Sequence, residues 1–226
     1  LSTLIEENVQ NLRELADHEL RQSRDIRKVN IIYEAIAGFA TDEIIALTKK
    51  HMTSLIIMGT EGATGMKKNI FGSVAANVIK KSKVPVLVVP EKGVFAGLKK
   101  IALAVDLKHV DNIEVFKVLI DFALLFDSEL KIFFVQDNLD EPLALRQAIE
   151  KLDLDKVFKM IPHTFHVSKD DNVMEAIEKF TKDSNADLLV TMPHKHSYFE
   201  LLQNKSITRN LAFHVKKPLL SLPEIN

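Results

Sequence analysis

The chain has 226 residues, of which 46% are hydrophobic and 27% are charged, with a formal net charge of −1. This length suits one large domain or two small ones, and the composition is ordinary for a soluble globular protein. The balanced charge argues against a dedicated nucleic-acid-binding protein. The sequence contains no cysteine, which excludes disulfides, thiol catalysis and cysteine-ligated metal. No apolar run approaches the roughly 20 residues that a membrane-spanning helix needs.

The first ninety residues predict alternating helices and strands. Residues 2–28 carry apolar side chains mostly at three-to-four spacing, which predicts an amphipathic helix. A loosely alternating stretch over 29–37 predicts a strand that ends at Gly38, and Thr41 is placed to cap the next helix. The remaining elements of this part are predicted as a helix over 42–51, a strand from Leu55, a helix over 73–81 and a strand over 84–89.

Residues 90–97 contain one proline and two glycines and predict a linker, after which the pattern starts again. The second part predicts strands over 99–106, 130–136, 159–167, 186–192 and 219–222, and helices over 112–126, 142–158, 171–184 and 206–214. Because strands alternate with helices, each part is expected to form a parallel α/β sheet.

The two parts are copies of one another. Pro85 and Pro218 stand 133 positions apart, and no gap is needed to align the sequence around them. At this offset Leu55 meets Leu188, Ser73 meets Ser206, Asn77 meets Asn210 and Leu87 meets Leu220. The duplication predicts two domains, over residues 1–92 and 98–226, which we call copy one and copy two.

A glycine-spaced segment follows the strand at Leu55 in copy one. It contains Gly59, Gly62 and Gly72, and Ser73 then opens a predicted helix. Glycine lets a ligand approach the main chain closely, and a helix start offers free N–H groups that suit phosphate. Ser73 can cap that helix or donate its hydroxyl to an anion. The spacing is neither that of a P-loop nor the dinucleotide-binding G-x-G-x-x-G.

The spacing G-x-x-G-x9-G-S resembles the ATP-binding motif of the universal stress protein family. The flanks match as well, with a strand ending in Met-Gly-Thr and a closing Val-Pro-Val-Leu-Val-Val. The resemblance covers the whole chain and implies two tandem Rossmann-like domains of the adenine nucleotide alpha hydrolase-like kind, each with strand order three-two-one-four-five. It implies that copy one binds ATP, with Mg²⁺ accompanying it, through Gly59, Thr60, Gly62, Gly72, Ser73 and Val74. The alternative is a tight turn without a ligand.

The glycines do not survive in copy two. Met192, Lys195 and Lys205 stand opposite Gly59, Gly62 and Gly72, and only Ser206 keeps its identity. Side chains would occupy the space that a phosphate needs. We therefore expect that copy two has lost phosphate binding and that no cofactor binds there.

Copy one is incomplete by this alignment. The opening strand of copy two ends at Asp106, whose counterpart would fall before residue 1, so copy one lacks its first strand, helix and strand. Since a βαβ unit needs about 30 residues, we expect either roughly 40–60 further residues upstream or a partner chain that supplies these strands.

Three other groups are candidates for binding. Asp106 matches the aspartate that recognises adenosine in this family, and its alternative role is a helix cap or loop acid. His194 and His196, with His163 and His166, are weighed as metal ligands against solvent-facing loop imidazoles, and the latter is favoured, so no metal site is expected. Lys67 and Lys68 can steer an anion. Solvated turns are expected at the other basic clusters, which are Lys80, Lys81, Lys83, Lys216 and Lys217.

No nucleophile–base pair is present in the sequence, so the protein is not expected to be an enzyme beyond very slow ATP hydrolysis. The resemblance implies a cytoplasmic, nucleotide-binding stress-response regulator, and a scaffold that acts only through protein contacts is the alternative. A hydrolase or transferase on this fold lacks any catalytic constellation. Self-association is expected through the last strands, Val86 to Val89 and Leu219 to Leu222, paired with each other or with another chain. Neither nucleic acid nor a membrane is expected as a partner.

Overall fold

The computed structural model describes residues 2–22, 30–59, 73–90, 95–105, 110, 112–136, 149–150, 152–169, 172–192 and 217–223. The chain forms two compact units, Leu1–Ile44 and Ile45–Asn226. The helices are α1 (Ser2–Gln22), α2 (Ala40–Lys50), α3 (Ser73–Lys81), α4 (Lys117–Phe126), α5 (Leu154–Val157) and α6 (Val173–Asp183). The strands are β1 (Ile56–Gly59), β2 (Val86–Val89), β3 (Lys100–Ala104), β4 (Glu129–Gln136), β5 (His163–Lys169), β6 (Leu188–Thr191) and β7 (Leu219–Ser221).

The first unit is built on α1, which confirms the predicted amphipathic helix as far as Gln22. Several of its apolar side chains are nevertheless exposed, with Leu4 at 57% and Leu15 at 61%. The guanidinium of Arg13 lies 5.8 Å from the centre of the Tyr33 ring, a cation–π contact between α1 and the extended segment that follows.

The predicted strand over 29–37 is wrong for residues 30–37, which the structure describes and which join no β-ladder. Strand conformation is held by hydrogen bonds to a neighbouring strand and by burial of alternate side chains. Neither holds here, since Ile32 is 65% and Ile36 is 47% exposed.

The predicted cap at Thr41 is also wrong. Helix α2 begins at Ala40, and the N–H groups of Asp42 and Glu43 both donate to the Phe39 carbonyl, at 2.9 and 3.0 Å. Thr41 therefore lies inside the first turn, where its hydroxyl is not needed as a cap.

The second unit is built on one seven-stranded sheet with the order β1-β2-β7-β6-β3-β4-β5. Neighbouring strands are parallel throughout, except that β2 and β7 run antiparallel. Copy two contributes β5-β4-β3-β6-β7, which is the predicted order three-two-one-four-five. Copy one contributes β1 and β2, the equivalents of β6 and β7. The predicted α/β class with a parallel sheet is confirmed.

The duplication is visible in the hydrogen bonding of the sheet. Ile56 pairs with Val86 in copy one, and Leu189 pairs with Leu219 in copy two, which is the same pair at the offset of 133. The N–H of Ile56 donates to the Pro85 carbonyl at 2.9 Å, and the N–H of Leu189 donates to the Pro218 carbonyl at 3.1 Å. The two copies thus share a register as well as a sequence pattern.

The two copies meet where β2 pairs with β7, its counterpart in copy two, and we call this pairing the seam. Leu87 pairs with Leu220, its own counterpart, and Val86 pairs with Ser221 on one side of them. Because antiparallel neighbours are related by a two-fold rotation, a pseudo-two-fold axis passes through the Leu87–Leu220 pair. This axis relates the β1–β2 pair to the β6–β7 pair within one polypeptide.

The core lies mainly in copy two. The side chains of Ile101, Leu103, Leu130 and Ile132 are 0% exposed, as expected for strands that are covered on both faces. Phe116 and Phe158 meet edge to face above them, with ring centres 5.3 Å apart.

Several element boundaries differ from the prediction. The helix expected over 112–126 opens with a 3-10 turn, Ile113–Phe116, because the Asn112 side chain accepts from the Glu114 N–H at 2.9 Å. The helix expected over 142–158 is described only near its end, where Asp153 takes a left-handed conformation before α5. β5 begins at His163 rather than at residue 159, since residues 158–160 form a turn.

Candidate functional site

The two ends of the glycine-spaced segment are fixed by regular structure. Gly59 is the last residue of β1 and is exposed, and Ser73 is the first residue of α3 and is also exposed. Val74 is half-buried beside it. Thr60, Gly62 and Gly72 lie outside the described residues, so their role in binding stays a prediction.

Helix α3 is held by one apolar face. Ala75, Val78 and Ile79 are 1%, 0% and 6% exposed, and their spacing of three and four places them on one side of the helix. Because β1 and β2 are parallel and α3 connects them, α3 runs antiparallel to both. Its amino-terminal end therefore lies on the same side of the sheet as the carboxyl end of β1.

The charge along α3 suits an anion at that end. Its first turn carries no acidic side chain, and its last turn carries Lys80 and Lys81. The unpaired N–H groups of a helix start contribute a partial positive charge of about half an elementary charge. An acidic side chain in the first turn would compete with a bound phosphate, and α3 has none.

The equivalent turn in copy two begins differently. Met192 follows β6 where Gly59 ends β1, and its half-buried side chain packs against the core of copy two. Copy two therefore carries a core-packed side chain at the position where copy one has glycine. Lys195, Lys205 and Ser206 lie beyond the described residues.

The histidines of β5 do not form a joint site. His163 contacts Phe165 edge to face at 5.5 Å, while His166 lies 5.1 Å from the Phe180 ring of α6. Residues an odd number of positions apart point to opposite faces of a strand. The two imidazoles are thus on opposite faces, and both belong to a strand rather than to a solvent-facing loop, which corrects that expectation.

Hydrogen bonds already engage both rings. His163 Nδ1 is 2.8 Å from the Ile161 carbonyl and its Nε2 is 3.1 Å from Asp155 Oδ1, and His166 Nε2 is 2.8 Å from Thr164 Oγ1. Within the described part of the chain, no group of three or more histidines or acids could hold a metal ion. His194 and His196 lie outside that part.

The remaining candidates divide in the same way. Asp106, Lys67, Lys68 and Lys216 fall outside the described residues. Lys80, Lys81 and Lys83 are exposed, as predicted, but Lys80 and Lys81 lie in the last turn of α3 rather than in a connecting turn. Lys217 is partly engaged, with its Nζ 3.8 Å from Asp187 Oδ1.

Asp187 has a structural role that was not predicted from the sequence. Its Oδ2 accepts from the main-chain N–H groups of Lys99 and Lys100, at 2.9 and 3.0 Å. An acid directly before an apolar strand is the only signal for this role in the sequence, and it does not indicate which groups the acid binds.

No helix among the described residues has the length and apolar character needed to cross a membrane.

Comparison with known proteins identifies the first part of the chain. The universal stress protein family model matches residues 2–90. This part of the chain is thus similar to universal stress proteins. The resemblance given by the glycine-spaced motif is thereby confirmed.

Two universal stress proteins of Methanocaldococcus jannaschii are each 44% identical to this chain. One matches over 61 residues, which are 27% of this chain and 36% of the relative, and the other over 57 residues, which are 25% and 35%. These alignments span about a third of the length of each relative.

The fold comparison extends over the whole chain. The crystal structure of a universal stress protein from Archaeoglobus fulgidus aligns with a TM-score of 0.64 and 22% identity, covering 96% of this chain and 78% of that chain. This likeness supports the universal stress protein fold for both copies.

Proposed function

We propose that copy one binds ATP or a related adenine nucleotide, with the phosphates on the glycine-spaced segment that joins β1 to α3. The single observation that carries this proposal is the placement of Gly59 at the end of β1 and Ser73 at the start of α3. A parallel α/β sheet binds ligands at the carboxyl ends of its strands, and a helix start beside a glycine turn is suited to phosphate.

Each part of the motif has its own task in this proposal. Gly59, Gly62 and Gly72 would leave the main chain open to the phosphates, and their neighbours in sequence, Thr60 and Val74, are assigned to the same site. Ser73 donates its hydroxyl, and the first N–H groups of α3 complete the anion site. Mg²⁺ would accompany the phosphates of ATP. Asp106 belongs to copy two, and we assign it no part in this site.

Copy two acts as a structural partner without a nucleotide in this proposal. Met192, Lys195 and Lys205 replace the three glycines of the copy one motif. The protein would then be a cytoplasmic regulator that responds to a nucleotide, with ATP hydrolysis slow or absent. The second candidate is a scaffold that acts through protein contacts alone, favoured by the β2–β7 seam that joins the copies.

Isothermal titration with ATP and Mg²⁺ tests the proposal. The wild-type chain is expected to bind, and Gly62→Asp is expected to weaken binding at least about tenfold, or about 1.4 kcal/mol. The reason is that a carboxylate would stand against the phosphates. Lys195→Asp places the same side chain at the equivalent position of copy two and is expected to leave the affinity unchanged.

A second variant tests the comparison between the copies directly. Gly72→Lys gives copy one the residue that copy two has at this position, and it adds a positive charge rather than a negative one. If space on the main chain matters more than charge, Gly72→Lys weakens ATP binding as Gly62→Asp does. Absence of heat for the wild-type chain would favour the scaffold.

A further inference from the structure

A methionine in an unusual backbone conformation follows α2. Met52 has a φ of 48°, in the left-handed region. The Thr53 N–H donates to the Thr48 carbonyl at 3.0 Å, and the Met52 N–H donates to the Lys49 carbonyl at 3.5 Å. This pattern belongs to a helix that ends in a left-handed residue, where glycine or asparagine is usual. A methionine is disfavoured there, because its Cβ lies too close to the following carbonyl oxygen.

Copy two ends the equivalent helix in the same way but with a different residue. Asn185 is the counterpart of Met52 at the offset of 133, and its φ is 50°. The Ala186 N–H donates to the Thr181 carbonyl at 3.1 Å, which repeats the equivalent bond of copy one. Asparagine adopts the left-handed conformation more readily than other residues with a side chain. The fold of the repeat therefore does not require methionine at this position.

Packing does not explain the Met52 side chain either, because it is 89% exposed. Met160, in the turn before β5, is 70% exposed. Met192, by contrast, is half-buried and packs against the core of copy two. The described methionines thus include two thioethers that solvent reaches freely and one that the core shields.

Exposed thioethers have a chemistry of their own in this chain. The sequence contains six methionines and no cysteine, so methionine carries all of its sulfur. Oxidants convert methionine to its sulfoxide, and this reaction can be reversed. The product is polar, so it disrupts a core but is readily solvated at the surface.

We propose that Met52 and Met160 are sites of reversible oxidation by hydroperoxides. The sulfur attacks one oxygen of the hydroperoxide, an S–O bond forms, and the O–O bond breaks. The other oxygen takes up the proton and leaves as water or an alcohol, so the thioether is oxidised and the hydroperoxide is reduced. A thiol reductant reverses the change, since two thiols join as a disulfide and the sulfoxide oxygen leaves as water.

This chemistry is independent of the proposed nucleotide site. Met52 precedes β1, whereas Gly59 lies at the opposite end of that strand. Met160 belongs to copy two, for which no nucleotide is proposed. Loss of ATP binding would therefore leave the oxidation of both methionines unchanged.

Hydrogen peroxide added to the full chain tests the proposal, with peptide mass spectrometry following the oxygen gained by each methionine. Met52 and Met160 are expected to react at least about threefold faster than Met192, because the rate follows exposure of the sulfur. The same chain in denaturant is the control, in which the three are expected to react alike. Equal rates in the folded chain would overturn the proposal.

Reversal is tested on the oxidised, folded chain. Methionine sulfoxide reductases of both stereospecificities, supplied with dithiothreitol, are expected to remove the oxygen from Met52 and Met160. A sulfoxide that persists at these positions while a free methionine sulfoxide in the same tube is reduced would contradict reversibility.

Two variants separate the chemistry of Met52 from a structural role. Met52→Asn gives copy one the residue of copy two and is expected to raise the thermal unfolding midpoint by about 2 °C. Oxidation confined to Met52 and Met160 is expected to leave the wild-type midpoint within about 1 °C, since neither side chain is packed. A larger fall that Met52→Leu prevents would show that the Met52 side chain supports the fold, and it would overturn the proposal for this residue.

Discussion

Asp187 joins the starts of three strands with one carboxylate. It precedes β6, accepts from two N–H groups at the start of β3, and lies near Lys217, which precedes β7. Asp187→Ala leaves two main-chain donors without this partner and is expected to lower the free energy of unfolding by roughly 1–3 kcal/mol. Urea denaturation measures this change. Asp121→Ala, at an exposed position of α4, is the control and is expected to change stability by less than about 0.5 kcal/mol.

A backbone angle supports a second prediction at the scale of the residue. Asp127 ends α4 with a φ of 50°, and its N–H donates to the carbonyls of Ala123 and Leu124. Glycine adopts this conformation without a Cβ penalty, so Asp127→Gly is expected to stabilise the protein by about 0.5–1 kcal/mol. The exposed contact with Lys99 offsets little of this gain. Asp127→Ala should destabilise, and a thermal melt showing the opposite order would contradict the argument.

At the scale of the element, β1 and β6 are one strand in two environments. Val190→Ala is expected to cost about 2 kcal/mol, because it leaves a cavity under a fully covered strand. Ile57→Ala removes a larger group, yet it is expected to change stability by no more than about 0.5 kcal/mol, because that side chain is 63% exposed. Urea denaturation of both variants measures the difference. Equal losses would mean that β1 is covered in solution.

The seam between β2 and β7 belongs to the scale of the whole molecule. β2 lies between β1 and β7, and β7 lies between β2 and β6, so both edges of each strand are occupied within the chain. A homodimer remains a prediction, and it would have to use another surface unless this seam opened.

The unfolding midpoint is therefore expected to be independent of protein concentration, because folding of this seam joins segments of one chain. Differential scanning calorimetry over a wide range of concentration measures it. A midpoint that rises with concentration would show that the seam exchanges between chains. Leu220→Ala is expected to lower the midpoint at every concentration, since Leu220 is 0% exposed and its loss costs about 2–5 kcal/mol. Leu124→Ala, at an exposed leucine of α4, serves as its control.

The sequence by itself determined the repeat, the alternation of strands and helices and the position of the glycine-spaced motif. These depend on local periodicity and on residue types at fixed spacing. β6 and α6 appear within two residues of their predicted ends for this reason. The replacement of glycine by Met192 was equally clear from the sequence, because it depends on residue type alone.

Only the tertiary structure decided which strands have neighbours. Residues 30–37 have a strand-like pattern, but they form no strand because pairing is a property of two segments. The same reason separates Ile57 from Val190, which look alike in sequence and differ in what lies beside them. Asp187 accepts hydrogen bonds from N–H groups that are 87 and 88 positions away in the sequence. No local sequence pattern encodes a contact over that separation.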